Sequence, residues 1–248
     1  MEDRYGADSV WQIGRESIFP SSAFAAAPSE MAACLGLAGV TGAVDLLDLP
    51  CGPGRHSLPL ARVGHRVVAV DRTPAYLDEL RARAQDDELK LEVVQADMRQ
   101  FVRPGAFDLI LNLYHSFGYF EDIAQDRQVL RNFAASLRSR GALVMDLIGR
   151  EIMTRDFQPL RQRELADGTV VREEAMLSDD GRWLYSTWLL AVDGVTHEFD
   201  MSHRLYGGIE LQDELLAAGF SEVTLYGGFD GRPWSEDAIR LVAVARVS

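Results

Sequence analysis

Asp45-Leu46-Leu47-Asp48-Leu49-Pro50-Cys51-Gly52-Pro53-Gly54 is the stretch on which the fold turns. A short apolar run closes on a carboxylate and enters a turn rich in glycine and proline. That reads as a buried strand over 44–49 ending at the edge of a sheet. Residues 55–63 continue in helical style, giving strand, tight turn and helix. Glycines in such a turn let a ligand approach the backbone, and the helix start offers free N–H groups. Taken alone, the turn is equally consistent with a tight connection, because glycine is the default residue of strained turns.

The flanking sequence repeats the grammar. Strands are expected over 66–71, 91–96, 107–113 and 142–148, the last opened by Gly141. Helices are expected over 74–84, with Thr73 as cap and Pro74 at the first position, and over 122–138. Near-continuous apolar strands separated by helices imply a parallel sheet covered on both faces. After Arg150 the pattern changes. Strands over 161–166, 170–177, 183–192 and 196–205 are joined by the turn signals Asp167-Gly168, Asp179-Asp180-Gly181 and Asp193-Gly194. That is an antiparallel meander. A helix over 209–218, closed by Gly219, and strands over 223–226 and 239–247 complete the chain. Upstream, 21–29 reads as a loop entering a helix over 30–37 capped by Ser29. Val10-Trp11-Gln12-Ile13 and Ile18-Phe19 place large apolar groups on this arm, which either dock on the core or cover a ligand.

The chain has 248 residues, enough for one sizeable α/β domain or a domain of about 150 residues with an insertion. Its net charge is -13, from 25 basic and 38 acidic residues. A phosphate-backbone partner needs a basic footprint and none is visible as a run, which argues against nucleic acid or an anionic membrane as the main partner. A small molecule or peptide remains. The longest apolar runs are strand-sized, and Met1-Glu2-Asp3-Arg4 leads into no apolar segment. Cys34 and Cys51 fit a reducing, cytoplasmic setting. The five histidines show no metal-ligand spacing, so no metal is expected.

Two further strand tips carry chemistry. Asp71 ends the second strand, 17 positions after Gly54. A carboxylate there can accept both hydroxyls of a ribose; a helix-capping role is the alternative. Asp97, in Gln95-Ala96-Asp97-Met98, can accept from an exocyclic adenine amine while Met98 offers an apolar face to the ring. Capping is again the alternative.

In this order the motifs resemble the class I S-adenosylmethionine-dependent methyltransferases. The matching residues are Leu47-Asp48-Leu49-Pro50-Cys51-Gly52-Pro53-Gly54, Val68-Ala69-Val70-Asp71, Gln95-Ala96-Asp97-Met98 and Phe107-Asp108-Leu109-Ile110-Leu111-Asn112. The resemblance covers residues 40–148 and resumes from 209. It implies a doubly wound α/β fold: a seven-stranded, mostly parallel sheet whose last strand is antiparallel, with the antiparallel β meander inserted. It divides the chain into an N-terminal helical arm or lid (1–40), a cofactor-binding domain (41–150 and 207–248) and the insertion (151–206). The cofactor would be S-adenosylmethionine and the product S-adenosylhomocysteine. The turn through Gly52 and Gly54 would hold the methionine moiety, with Asp48 facing its amino group. Asp71 would bind the ribose, with Arg72 beside the adenine, and Asp97 and Met98 would fix the adenine. Asn112 and Leu113 would lie near the amino-acid end. Pro50 stands where the family often has glycine; lacking an N–H, it can offer only its carbonyl or packing. Two rivals remain. A nicotinamide-dependent oxidoreductase would need a third glycine where Ser57 stands, and gives Asp48 no role. A non-catalytic S-adenosylmethionine-binding sensor or scaffold would share the same motifs.

Methyl transfer from a sulfonium is an in-line displacement, so the protein mainly aligns the reactants and excludes water. A base is needed only if the acceptor must lose a proton. His115, after the fourth strand, is the candidate base, and Tyr114 or Tyr119 would orient an acceptor. Alternatively Phe117, Tyr119 and Phe120 pack under the sheet edge and His115 is a hydrogen-bonded loop residue. No N/D-Pro-Pro-Tyr/Phe segment of nucleic-acid amino methyltransferases follows this strand. The insertion looks similar to that of sugar and peptide N-methyltransferases. Trp183, Tyr185, Trp188, His197, His203, Arg204 and Tyr206 on it are candidates for an acceptor cover or a dimer interface. The expected activity is methyl transfer to nitrogen or oxygen of a small-molecule acceptor by a monomer or homodimer.

Overall fold

The computed structural model describes residues 8–165, 168–192 and 194–248. Residues 1–7 of the expected arm, and Ala166, Asp167 and Asp193 of the expected turns, lie outside the described residues. The arm contributes α1 (Asp8–Ile13), α2 (Arg15–Ile18) and α3 (Ser21–Ala38). Then follow β1 (Asp45–Asp48), α4 (Ser57–Arg62), β2 (Arg66–Asp71), α5 (Pro74–Asp86), β3 (Glu92–Gln95), β4 (Phe107–Asn112), α6 (Ile123–Ser136) and β5 (Leu137–Leu147). A short α7 (Arg150–Arg155) leads into β6 (Leu160–Glu164), β7 (Val170–Leu177), β8 (Trp183–Val192) and β9 (Val195–Arg204). The chain closes with α8 (Gly208–Ala217), β10 (Glu222–Tyr226) and β11 (Leu241–Arg246).

The main sheet has seven strands in the order β10-β11-β5-β4-β1-β2-β3. Strands β1 to β5 pair in parallel, and β11 is antiparallel to both β5 and β10. This is the expected α/β class, with the last strand reversed. Alternation along the strands builds two cores. Leu47 and Ile110 face α6 and α8 through Phe133, Leu211 and Leu215. Leu46, Leu109 and Leu111 face α3, α4 and α5 through Met31, Cys34, Leu58 and Leu77. Successive strand side chains point to opposite faces, so both faces must be covered, and the strands read as unbroken apolar runs. The chain reverses its winding at β1, which lies between β2 and β4. Connections leave β1 and β4 toward opposite faces, which opens a crevice at their carboxyl ends.

Most boundaries shift by one or two residues, α7 was not expected, and two differences bear on the packing. Helix α3 begins at Ser21, not at residue 30. Its alanine-rich first half has strong helix propensity, and Ala27, Met31, Cys34 and Ala38 form one buried stripe. Burial of that stripe overrides the loop signal of Pro28, which sits inside the helix. Second, α6 stops at Ser136 and β5 begins at Leu137, so the expected helix to 138 is too long. Leu137 is already extended and pairs with Phe107, and the register then shifts before Leu109 pairs with Ala142. Arg138, Ser139, Arg140 and Gly141 are absorbed in that irregularity, where Arg140 takes a φ of 64°.

The insertion forms a separate antiparallel sheet in the order β6-β7-β8-β9. Leu184 of β8 packs with Met153 and Leu205 where this sheet meets the main domain. No helix among the described residues is long and apolar enough to cross a membrane.

Candidate active site

The turn after β1 is pinned from both sides. Leu49 N donates to Leu111 O of β4 at 3.0 Å, and Cys51 N donates to Val70 O of β2 at 2.9 Å. The Leu49–Pro50 peptide is cis. Gly52 and Gly54 have φ of 53° and 84°, the left-handed region that side chains disfavour. They serve different ends. A Cβ on Gly52 would stand 2.7 Å from Cζ of Phe19, at the edge of a cavity. A Cβ on Gly54 would stand 2.2 Å from Cδ1 of Leu80, inside the core. Gly52 faces ligand space, whereas Gly54 permits close helix packing.

The cavity lies over the carboxyl ends of β1, β2, β3 and β4. Of the residues singled out in the sequence, Pro50, Gly52, Asp71, Arg72, Asp97, Met98, Leu113 and Tyr114 line it. Asp71 is buried; its Oδ2 accepts from Gly52 N and its Oδ1 from Thr73 N, each at 2.9 Å. Burial pushes its carboxyl pKa up, and these backbone donors oppose the shift. The Thr73 hydroxyl and the Arg72 N–H act in the same direction. Burial also raises the Asp97 pKa, but bonds from Arg99, the shortest 2.6 Å, outweigh it and leave the group below its ordinary value. Asp97 therefore stays ionised.

At the tip of β4, Tyr114 and His115 both take a φ of 60°. Asp146 imposes this strained pair: its Oδ2 accepts from Tyr114 N at 3.2 Å and its backbone carbonyl from His115 N at 2.9 Å. Arg240 holds the same carboxylate at 2.6 Å. The Tyr114 ring is thereby turned into the cavity, 4.5 Å from the guanidinium carbon of Arg55 and stacked against Phe19.

The arm covers this crevice. Trp11, Ile18 and Phe19 line the cavity. Arg15 clamps α2 to α5 through two bonds to Glu79, 3.0 and 2.6 Å, and Tyr76 donates its hydroxyl to Trp11 O at 2.6 Å. The same segment therefore both docks on α5 and lines the cavity.

Four expected residues lie away from the cavity lining. Asp48 is buried and accepts from Ser57 Oγ at 2.5 Å, with burial raising its pKa. Asn112 donates Nδ2 to Leu49 O at 2.9 Å. Both brace the turn from behind, and Gly54 packs on Leu80. His115 corrects the expectation of a general base. Its Nδ1 accepts from Ile148 N at 3.1 Å, and its Nε2 meets Nε2 of His203. With Nδ1 accepting, Nε2 carries the proton and donates to His203. Burial lowers the His115 pKa to about 4, so neither nitrogen is free to take a proton from an acceptor.

The aromatic candidates of the insertion also stand outside the cavity. His203 pairs with His115, Tyr206 donates to Asp126 Oδ2 at 2.7 Å in the core, and Arg204 stacks on Trp183. The cavity's far wall comes instead from Tyr119 and Phe120, close to the main sheet. Sequence reading missed Arg55, His56, Thr73 and Tyr76 in the lining. Their positions beside Gly54 and Asp71 were the available signal. Among the described residues no three His, Cys, Asp or Glu side chains gather as a metal-ligand group.

A glycine turn at the winding reversal, a buried carboxylate on the β2 tip and a polar–apolar pair after β3 define a site for an adenosine-bearing ligand. The residues present fit S-adenosylmethionine: Asp71 and Asp97 set carboxyls in the lining, Gly52 keeps the β1 turn slim beside them, and Trp11, Phe19 and Tyr114 add aromatic rings that suit a cationic ligand. Comparison with known proteins agrees. Residues 46–141 match the family described as a methyltransferase domain. The chain is 34% identical over 101 residues to the cypemycin N-terminal methyltransferase of a Streptomyces species, covering 41% of this chain and 40% of that protein. It is 28% identical over 195 residues to the glycine/sarcosine N-methyltransferase of Parasynechococcus marenigrum, covering 76% of this chain and 67% of that one. The fold matches S-adenosylmethionine-bound CalS10, an amino pentose methyltransferase from Micromonospora echinaspora, with a TM-score of 0.68 at 21% identity, covering 96% and 97% of the two chains. Over residues 46–141 the chain thus matches a methyltransferase domain, and its fold is one that solved methyltransferases share.

Proposed function

We propose that the protein transfers the methyl group to a nitrogen of a small-molecule amine, by in-line displacement. The observation that carries this reading is the aromatic part of the cavity lining, Trp11, Tyr114, Tyr119 and Phe120, with His115 locked away from it. S-adenosylmethionine, when bound, supplies a methyl group already activated by the positive sulfur. A neutral amine attacks with its own lone pair, so the protein's task is alignment and exclusion of water. The Arg15–Glu79 clamp and the Tyr76–Trp11 bond hold the cover that excludes water. Asp71 and Asp97 would hold the adenosine end, with Arg72 and Met98 beside the base. Relatives named for methylating a peptide N-terminus, glycine or sarcosine nitrogen and an amino pentose support nitrogen. The net charge of -13 supports a small acceptor over a nucleic acid.

Oxygen is the second reading. It is favoured by His56, which lines the cavity with Nε2 3.5 Å from Glu30 Oε2 and is placed to take a proton from a hydroxyl. Incubation with methyl-labelled S-adenosylmethionine and a panel of small amines and alcohols separates the readings. Label on an amine nitrogen is expected. Label only on hydroxyl oxygen moves the assignment to the second reading, and label only on macromolecular acceptors contradicts both.

A further inference from the structure

None of the described residues of the insertion lines the cavity, yet the end of its last strand is stapled to a loop that does. Residues 203–206 meet residues 115–126 one after another. His203 meets His115 through the two Nε2 atoms. Arg204 N donates to Gly118 O at 2.7 Å, and Gly118, with a φ of 97°, comes so close that a Cβ on it would stand 2.6 Å from Arg204 O. The Arg204 side chain lies 3.7 Å from Asp126 Oδ2 and donates to Glu121 O at 3.3 Å. Tyr206 donates to the same buried carboxylate at 2.7 Å and packs its ring on Phe117, 5.2 Å between centroids. Backbone, ionic and ring contacts together fix the loop that carries Ser116, Tyr119 and Phe120 into the lining.

The two adjacent aromatic residues of this loop have different neighbours. The Phe120 ring takes the guanidinium of Arg99 at 4.6 Å, and Arg99 holds Asp97, so Phe120 belongs with the β3 tip. The Tyr119 ring instead has Trp11 of α1 at 6.4 Å and His203 of β9 at 5.6 Å between centroids. It stands where the arm, the loop after β4 and the insertion meet. We propose that Tyr119 contacts the methyl acceptor, and that Arg204 is a positioning residue that acts through it. This rests on the reading that the cavity takes S-adenosylmethionine and an amine. An aromatic face suits an amine-bearing ligand. Stapling the loop before the ligand arrives leaves little ordering for the binding step. The insertion thus governs the acceptor at one remove, through the loop it holds.

The test is a double-mutant cycle on acceptor kinetics. Benzylamine, glycine and glucosamine serve as probes, and the one that wild type methylates fastest is followed through Tyr119→Leu, Arg204→Met and the double variant. Tyr119→Leu is expected to raise the KM for that amine about tenfold or more, with kcat and the affinity for S-adenosylhomocysteine each within about threefold of wild type. Arg204→Met is expected to raise the same KM about fivefold in the wild-type background and to change it less than about twofold in the Tyr119→Leu background, because it acts through that ring. A residue that only stabilised the fold would add the same factor in both backgrounds. Gly118→Ala parts the loop from β9 from the other side, and takes the place of Arg204→Met in the cycle if that variant does not fold. An unchanged KM in Tyr119→Leu overturns the proposal, as does an Arg204→Met factor that persists in the Tyr119→Leu background. In either case the amine reading survives, because wild type methylates the probe. Methylation of none of the three amines by wild type that binds S-adenosylhomocysteine takes down the amine reading and this proposal together.

Discussion

Gly52 and Gly54 lie two residues apart in one turn, and substitution by alanine should separate their roles. At Gly54 the φ of 84° places an L-residue in a region costing about 1–2 kcal/mol. The new Cβ would also stand 2.2 Å from Cδ1 of Leu80, which is fully buried and has nowhere to go. Overpacking of this kind costs about 1–3 kcal/mol. Gly54→Ala should therefore lose about 2–5 kcal/mol, and at about 2–4 °C per kcal/mol for a chain of this size its Tm should drop by about 4–20 °C. At Gly52 the backbone cost is similar, but the clash is with the ring of Phe19 on the covering arm, a side chain that can swing. Gly52→Ala should lose about 1–2 kcal/mol of stability and most of its affinity for S-adenosylhomocysteine. Thermal melts with and without S-adenosylhomocysteine read both effects. Gly54→Ala should melt low and still be stabilised by ligand; Gly52→Ala should melt closer to wild type and respond weakly. A Gly54→Ala melt within about 2 °C of wild type, or identical behaviour of the two variants, would refute the division of labour.

Other consequences follow from named contacts. Asp71→Asn keeps the shape but not the charge of the β2 tip, and should weaken S-adenosylhomocysteine by about tenfold or more while retaining native circular dichroism. Ser57→Ala leaves the buried Asp48 carboxylate without its hydroxyl donor and should cost about 1–3 kcal/mol in urea unfolding. The His115–His203 pair should make the fold acid-sensitive. Burial holds both pKa values below the unfolded value near 6.5, His115 at about 4. Between those values the unfolded chain binds more protons, so stability falls as pH drops through that window, by up to about 3 kcal/mol for His115. Urea midpoints of wild type and His115→Gln at pH 7 and pH 4.5 should show a flatter dependence in the variant. The same variant should keep methyl transfer within about threefold, because His115 faces no acceptor; loss of turnover with intact fold would restore it as a base.

The strand tips were legible in the sequence because their chemistry is local. An apolar run ending in Asp71, or a glycine turn after Asp48, announces a sheet edge wherever it occurs. The meander was legible for the same reason, through alternation and turn residues. The role of a residue whose partner is far away was not. His115 reads as a free histidine until His203, 88 positions on, closes on it. Gly54 reads as a ligand glycine until Leu80 of α5 packs against it. Asp48 points at its own helix through Ser57 and not at the cavity. Helix α3 was hidden because Ser21, Ser22, Pro28 and Ser29 signal a loop, whereas burial of Ala27 and Met31 decides in favour of helix. Arg55 was overlooked because nothing in a Gly-Arg-His run announces that the arginine is buried against Tyr114.

Titration of the wild-type chain with S-adenosylhomocysteine and, separately, with a nicotinamide dinucleotide tests the central claim most directly. Saturable one-site binding of S-adenosylhomocysteine, abolished in the Asp71→Asn, Gly52→Ala double variant and absent for the dinucleotide, is the predicted result. No heat with S-adenosylhomocysteine, or tighter binding of the dinucleotide, would contradict it.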